Sequence, residues 1–158
     1  MHLEFAINMP MLKFDPTESA GFLVGRVAHA LKLRVQEFLD EAGIPISAEE
    51  ISILTVLAHL DGPERMKPLA EKLGRDATTV SRQIAGLEEA KFVQRRPCPE
   101  DRRATVVTIT RAGGKLVERT NPLTLALRNR AKKGISKSDA EVLVNALSQM
   151  LNNLQHEK

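Results

Sequence analysis

Hydroxyl and guanidinium side chains recur at helical spacing within the stretch ATTVSRQIAGLEE. Val80, Ile84 and Leu87 form an apolar stripe along one side of a helix. At about 100° per residue, Thr78 and Arg82 lie on the opposite side. An arginine can donate two hydrogen bonds to a guanine edge or bind a phosphate, and hydroxyls suit both kinds of group. The pattern predicts a helix that offers a small polar face to the major groove of double-stranded DNA.

Three neighbouring residues complete the predicted DNA-reading set on this helix. Thr79 and Ser81 lie at the edges of the exposed face, and the Thr79 methyl also suits a thymine methyl. Gln83 lies nearer the buried side, but its side chain is long enough to reach out. We therefore count all three as candidate contacts to DNA.

A second basic feature follows the helix, in a polar loop between two short apolar segments. Arg102 and Arg103 lie at the tip of the predicted hairpin, where they could enter a minor groove narrowed by A·T pairs. We expect the Asp101 carboxylate to face an arginine guanidinium and hold it in place. Arg96, just before the loop, joins Asp101 and the two arginines as a candidate DNA-binding residue.

A helix-turn-helix is the element that would position these side chains. Ala70, Gly74 and Val80 have its spacing: the small alanine lets two helices cross closely, the glycine makes the turn, and the valine seals the contact. Asp76 is the predicted N-cap of the second helix. The hairpin that follows would be the wing of a winged helix-turn-helix.

The remaining elements are predicted from periodicity, caps and breakers. Four more helices are expected, together with a hairpin of two strands, and a proline within the fifth helix predicts a bend or a break there. In chain order, the predicted boundaries are a first helix from Pro16 to before Gly43, a second from Ser47 to before Asp61, strands at 92–96 and 105–109, a fifth helix capped by Thr110 and containing Pro122, and a sixth opened by Ser136 and Asp139.

The fold class that follows is mainly α (α+β): a winged helix-turn-helix with long N- and C-terminal dimerisation helices. We predict an N-terminal extension and first dimerisation helix at 1–46, a DNA-binding domain at 47–111 and C-terminal dimerisation helices at 112–158. The first and last helices carry more apolar surface than one small domain covers, so we expect a dimer. Packing of these two helices on each other within one monomer is the alternative.

Composition and charge favour double-stranded nucleic acid as the partner. Residues 64–111 contain eleven Lys and Arg against seven Asp and Glu, a net +4, whereas the whole chain is +3. Only 3% of residues are aromatic, so the stacking surfaces of single-strand binders are largely missing. The single cysteine excludes an internal disulfide. With no signal peptide and no membrane-length apolar run, we expect a cytoplasmic protein without a membrane partner.

Catalysis and cofactor binding are not expected. The sequence has no nucleophile elbow, phosphate-cradling glycine loop or paired metal motif, and its four histidines are too far apart to ligate a metal together. We expect Cys98 to be a solvent-exposed thiol without function on an arginine-rich loop, with a redox switch as the alternative. The prediction is a protein that is not an enzyme and has no cofactor or metal.

The stretch LAEKLGRDATTVSRQIAGLEEAKFVQRRPCPEDRRATVVTITRAG resembles the multiple antibiotic resistance regulator (MarR) family of winged-helix transcription factors. The most specific parts are TVSR, the LEE turn before the first wing strand, and the D-x-R signature of Asp101 and Arg103. Three departures stand out: Cys98 where the family often has Asp, Gly86 where it often has a basic residue, and the apolar extension 1–14, which has no clear counterpart.

The resemblance implies a homodimer that binds a roughly palindromic operator and usually represses. It also implies release by a small aromatic or phenolic ligand, bound in a cleft between the dimerisation and DNA-binding parts. Arg26 and His29 on the first helix could point into such a cleft, with surface or interface roles as the alternative. The function predicted is thus a sequence-specific, homodimeric, DNA-binding repressor released by a small-molecule effector.

One alternative function belongs to a different class. The chain could be a winged-helix module for protein–protein interaction, its basic wing docking on an acidic surface. Against this alternative, the predicted reading face is small and rich in hydroxyls, and it lacks the aromatic anchors of a protein-binding hot spot.

Overall fold

The computed structural model describes residues 15–60, 62–101 and 103–155. The chain divides into two compact units, 1–49 and 50–158. Six α-helices and three strands occur in the described part. They are α1 (Ala20–Glu41), α2 (Ala48–His59), β1 (Glu64–Arg65), α3 (Met66–Leu73), α4 (Ala77–Glu89), β2 (Val93–Pro97), β3 (Thr105–Ile109), α5 (Arg111–Ala131) and α6 (Lys137–Gln155).

The first unit consists of α1 and the segments that flank it. Asp15 caps a short 3-10 turn over Pro16–Glu18, and α1 begins only at Ala20, so the predicted start at Pro16 is four residues early. The reason is Ser19, whose extended backbone separates the turn from the helix and whose hydroxyl caps α1. At the other end, the side-chain oxygen of Gln36 accepts a bond of 2.8 Å from the N–H of Ala48, which anchors the start of α2.

In the second unit, α3 and α4 form the predicted helix-turn-helix. Gly74 adopts the left-handed conformation (φ 62°, ψ 35°) that a glycine adopts readily. Ala70 is 4% exposed and Val80 is fully buried, as their proposed packing roles require. The Arg75 side chain donates to the Ser52 hydroxyl at 2.9 Å and so ties the turn to α2.

The wing is part of a small antiparallel sheet with the strand order β1-β3-β2. The predicted hairpin is confirmed, with Val93 opposite Ile109 and Pro97 opposite Thr105. The third strand, β1, was not predicted, because two residues are too few to show any periodicity. It pairs Arg65 with Val106 and so joins the loop before α3 to the wing.

The helix α5 follows the wing directly. The Thr110 hydroxyl accepts from the N–H of Gly113 at 3.1 Å and donates to the carbonyl of Lys91 at 2.8 Å, which fixes the helix start against the end of α4. The helix is continuous through Pro122, so the break predicted as one possibility is wrong. A proline removes one N–H from the ladder, and the buried stripe that includes Leu116 and Thr120 holds the helix in place before it.

The long helices α1 and α6 leave large apolar side chains exposed within the single chain. In α6 none of the described residues is buried, although Ser136 and Asp139 form the predicted cap, with 2.7 Å between their side-chain oxygens. The exposed apolar residues are Phe22, Leu23, Val24, Val27 and Leu33 in α1, and Val142, Leu143, Val144, Met150, Leu151 and Leu154 in α6. Among the described helices, none has an apolar stretch long enough to cross a bilayer.

Candidate nucleic-acid interface

The outward face of α4 lines a shallow depression of about 510 Å³. Its lining combines two hydroxyls and two guanidinium groups with two alanines, whose small side chains allow close approach to the helix backbone. The lining residues are Ala77, Thr78, Ser81, Arg82, Ala85 and Arg95. Three of the residues predicted from helical spacing, Thr78, Ser81 and Arg82, thus share one exposed surface.

The start of α4 is capped as predicted. The Asp76 carboxylate accepts a hydrogen bond of 2.7 Å from the N–H of Thr79. Hydrogen bonds from Thr79, through its side chain and then its backbone, hold the pKa of Asp76 below its ordinary value. Thr79 is half-buried at the edge of the reading face.

Gln83 lies on the inner side of α4 in this conformation. The residue is half-buried, and its Oε1 atom is buried without a hydrogen-bond partner among the described residues. A rotation of the side chain would be needed before its amide could contact DNA. Its role as a reader therefore stays a prediction.

Arg95 was not among the predicted site residues, although it lines the same depression as α4. The Glu88 carboxylate at the end of α4 accepts from the Arg95 backbone N–H at 2.9 Å and from Nε at 2.7 Å, and lies 2.6 Å from Nη2. Hydrogen bonds from Arg95 lower the pKa of Glu88. Helical spacing does not show this contact, because it joins α4 to the strand that follows.

At the wing tip, Asp101 bonds the backbone of the turn. Its carboxylate accepts from the backbone N–H of Arg103 at 3.0 Å, and no bond to the Arg103 guanidinium is present among the described residues. The predicted pair with an arginine guanidinium stays a prediction, because Arg102 is not among those residues. An aspartate readily bonds the N–H two residues on, because this local turn orders less chain than a pair between side chains. Arg103 is exposed, whereas Arg102 lies outside the described residues.

Arg96, the other predicted wing residue, is exposed near the end of β2. Its Nη2 atom donates to the Gln94 side chain at 2.8 Å. Successive residues of a strand point to opposite faces, so Arg95 and Arg96 face opposite sides of the sheet. Arg96 is not part of the depression beside α4.

Cys98 is buried, with 4% of its surface exposed, so the expectation of an exposed thiol is wrong. The cause is the closure of the hairpin, in which the Cys98 N–H donates to the carbonyl of Ala104 at 2.8 Å. The Arg65 Nη2 atom lies 3.5 Å from Sγ and 3.1 Å from a carboxylate oxygen of Glu100. The backbone N–H of Glu100, with further contributions from Asp101 and Arg65, lowers the pKa of the Cys98 thiol.

The two predicted effector residues are both exposed on α1. The Arg26 guanidinium lies over the Phe22 ring, 6.0 Å from its centroid, and His29 is one turn further along the helix. Within the described residues, no group of three or more His, Cys, Asp or Glu side chains could hold a metal ion.

A helix-turn-helix followed by a basic two-stranded wing defines the winged-helix class of DNA-binding proteins. The model of the MarR family matches residues 46–105, which contain α3, α4 and most of the wing. The uncharacterized HTH-type transcriptional regulator YxaD of Bacillus subtilis is 32% identical over 120 residues, covering 75% of this chain and 84% of the relative. The chain belongs to the MarR family and is a transcriptional regulator with a DNA-binding fold, not an enzyme.

Solved structures share this fold over most of their length. A MepR–DNA complex of S. aureus superposes with a TM-score of 0.74 at 24% identity, covering 85% of this chain and 98% of that one. BpsR of Bordetella bronchiseptica, whose DNA binding is regulated by 6-hydroxynicotinic acid, gives a TM-score of 0.75 at 23% identity, with coverages of 87% and 96%. These matches confirm the predicted fold class of a mainly helical winged-helix protein with long terminal helices.

Proposed function

We propose that this protein is a homodimeric repressor that binds a pseudo-palindromic DNA operator through α4 and the wing. The observation that carries the proposal is the depression on α4, where Thr78, Ser81 and Arg82 share an exposed surface with two alanines. A helix whose exposed face carries small side chains can approach the base edges of the major groove closely. Its hydroxyls and guanidinium then provide donors for bases and phosphates.

The wing supplies a second, separate contact in this proposal. Arg103 is exposed at the tip, and its guanidinium is not engaged by Asp101. It is therefore available for the negative potential of a narrow minor groove. Arg102 would act beside it, and Arg96 would contact the sugar–phosphate backbone.

A two-fold assembly is supported by the exposed apolar faces of α1 and α6. Leu151 is 55% and Leu154 72% exposed in the single chain, and a second copy would remove such side chains from water. Two copies related by two-fold symmetry read two half-sites about one helical turn apart, which accounts for a pseudo-palindromic operator.

In this proposal a small aromatic or phenolic ligand controls DNA binding. This control is supported by the relation to BpsR, a fold relative whose DNA binding responds to 6-hydroxynicotinic acid. Arg26 and His29, both exposed on α1, are the candidate effector contacts. Arg26 offers a cation and His29 an imidazole to a ligand of this chemistry.

Selection of bound sequences from random double-stranded DNA tests the proposed function. The purified full-length protein should enrich one motif with two inverted half-sites, and its affinity should fall steeply with salt. Transcription from a reporter carrying that motif should then drop when the protein is present. If no motif is enriched at any salt concentration, the proposal of sequence-specific binding is wrong.

A further inference from the structure

Arg95 enters the depression from the wing, whereas the other lining residues belong to α4. A group at this position lies between the two elements proposed to contact DNA. A DNA strand lying against the outward face of α4 would pass beside it. Arg95 is thus placed to bind DNA without being part of the recognition helix.

The Arg95 guanidinium is held on one edge only. Nε and Nη2 both approach the Glu88 Oε2 atom, at 2.7 and 2.6 Å, while the backbone N–H of Arg95 donates to Oε1 at 2.9 Å. One carboxylate therefore fixes both the strand and the side chain. The two Nη1 donors have no partner among the described residues, and a guanidinium held on one edge can donate from the other.

We propose that Glu88 is a positioning residue that fixes Arg95 as a phosphate-binding residue beside the recognition helix. The inference rests on the proposed function, since it assigns a further contact to the same DNA interface. A partly exposed arginine without Glu88 would sample many rotamers and would lose conformational entropy on binding DNA. With Glu88 present, the side chain is ordered before DNA arrives.

The negative charge of Glu88 makes its proposed positioning role testable. Glu88 is an anion inside a surface that would bind a polyanion, so on charge alone its removal should strengthen binding to all DNA. If it positions Arg95, its removal should instead weaken binding to the operator. The charge effect acts on all DNA, because random DNA is held by the charge of the whole surface. A positioned Arg95 meets its phosphate only when α4 is seated in the register of the operator, so its loss weakens operator binding alone and lowers the ratio of the two affinities.

The experiment compares Glu88→Gln with Glu89→Gln in the full-length protein. Glu89 is the exposed neighbour, so its substitution changes the charge equally without touching Arg95. For Glu88→Gln we expect random-sequence DNA to bind slightly more tightly and the operator-to-random affinity ratio to fall about tenfold, comparable to one mismatched base pair. For Glu89→Gln both affinities should rise together and the ratio should stay the same.

The salt dependence of DNA binding by Arg95→Gln tests phosphate binding by Arg95. A purely structural role of Glu88 would not alter it. The slope of log affinity against log salt should become shallower by about 0.9 for each phosphate that the variant no longer neutralises. In the Arg95→Gln background, Glu88→Gln should lower the affinity ratio no further, because its effect acts through Arg95. Thermal unfolding of each variant confirms that the fold is kept.

Two results would overturn the inference. One is an affinity ratio for Glu88→Gln equal to that of Glu89→Gln, and the other is an unchanged salt slope for Arg95→Gln. If Glu88→Gln does not fold, the salt slope of Arg95→Gln decides alone. Failure of the wild-type protein to select any operator would instead contradict the proposed function, so the two failures are distinguishable.

Discussion

Arg82 lies on the exposed face of α4, next to Ser81 and three residues before Ala85. In this position a guanidinium can reach a guanine edge. We therefore expect Arg82→Ala to weaken binding to the selected operator by about 1–3 kcal/mol and to relax the preference at one base pair of each half-site. Fluorescence titration against operators with each base at that position measures both effects. Binding of Arg82→Ala with wild-type affinity and base preference would rule out this assignment.

Arg103 is also expected to contact DNA through a single side chain, but by a different mechanism from Arg82. Its backbone N–H is bonded to Asp101 and its side chain is exposed, so the turn can hold its position while the guanidinium reaches a groove. We expect Arg103→Ala to lose more affinity for operators with A·T-rich flanks than for those with G·C-rich flanks, because narrow minor grooves concentrate negative potential. Equal losses on the two flank types would contradict minor-groove binding.

The Asp76 cap predicts a pH dependence of stability. The folded-state pKa of Asp76 lies below its ordinary value, so its contribution is present at neutral pH and is lost as pH falls through the folded pKa. Asp76→Asn keeps a capping oxygen and serves as the control, whereas Asp76→Ala removes it. In thermal melts the Ala variant should unfold at a lower temperature than wild type at pH 7, and this gap should narrow below about pH 4. A gap independent of pH would mean that the ionised carboxylate adds nothing.

At the scale of elements, the junction of the wing with α5 depends on two adjacent glycines that differ in their surroundings. A Cβ on Gly113 would collide with the carbonyl oxygen of Phe92 and lie 2.8 Å from the Ile109 side chain, whereas a Cβ on Gly114 would meet nothing within 4 Å. The strand ends therefore approach α5 closely because residue 113 has no side chain.

The two glycines give a matched pair of substitutions. Gly113→Ala should destabilise the protein by about 1–3 kcal/mol through overpacking. Gly114→Ala should stabilise it by about 0.5–1 kcal/mol, because alanine loses less backbone entropy in a helix. Urea unfolding measures both. Equal effects of the two substitutions would show that the strand ends do not pack on α5 in this way.

At the scale of the whole molecule, α1 and α6 each present an apolar face to solvent in the single chain. If a second copy covers α6, the protein should sediment with twice the 17.5 kDa chain mass at micromolar concentration. Leu151→Glu should shift it to a monomer without unfolding the chain, because this side chain is 55% exposed.

Asn152→Glu is the matched control for this test, since it adds the same charge to the exposed neighbouring residue. The Asn152→Glu protein should still sediment with twice the chain mass. The monomeric Leu151→Glu protein should also lose most of its operator affinity, because two linked half-sites are then read separately. A wild-type protein that sediments as a monomer would contradict the proposed dimer.

Local signals in the sequence were enough to predict most elements. The caps at Asp76, Thr110 and Ser136 and the turn at Gly74 were all predicted and are present. These features depend on residues within one turn of each other, so propensity and spacing carry the information. The same holds for the reading face of α4, because a regular helix fixes which side chains lie opposite its buried stripe.

Other features depended on contacts between separate elements. The pairing of Arg65 with Val106 made the third strand, hairpin closure buried Cys98, and the close approach of the strand ends required Gly113. None of these leaves a periodic signal, because each arises where two separate elements meet.

The sequence by itself thus determined the order of the helices and strands, the helix-turn-helix and the polar face of α4, because helical periodicity and capping are local. Only the tertiary structure decided that Glu88 holds Arg95 beside that face, and that Asp101 binds the backbone of the wing turn. Charges that look alike in a sequence differ in role according to what packs against them, and packing is set by the fold.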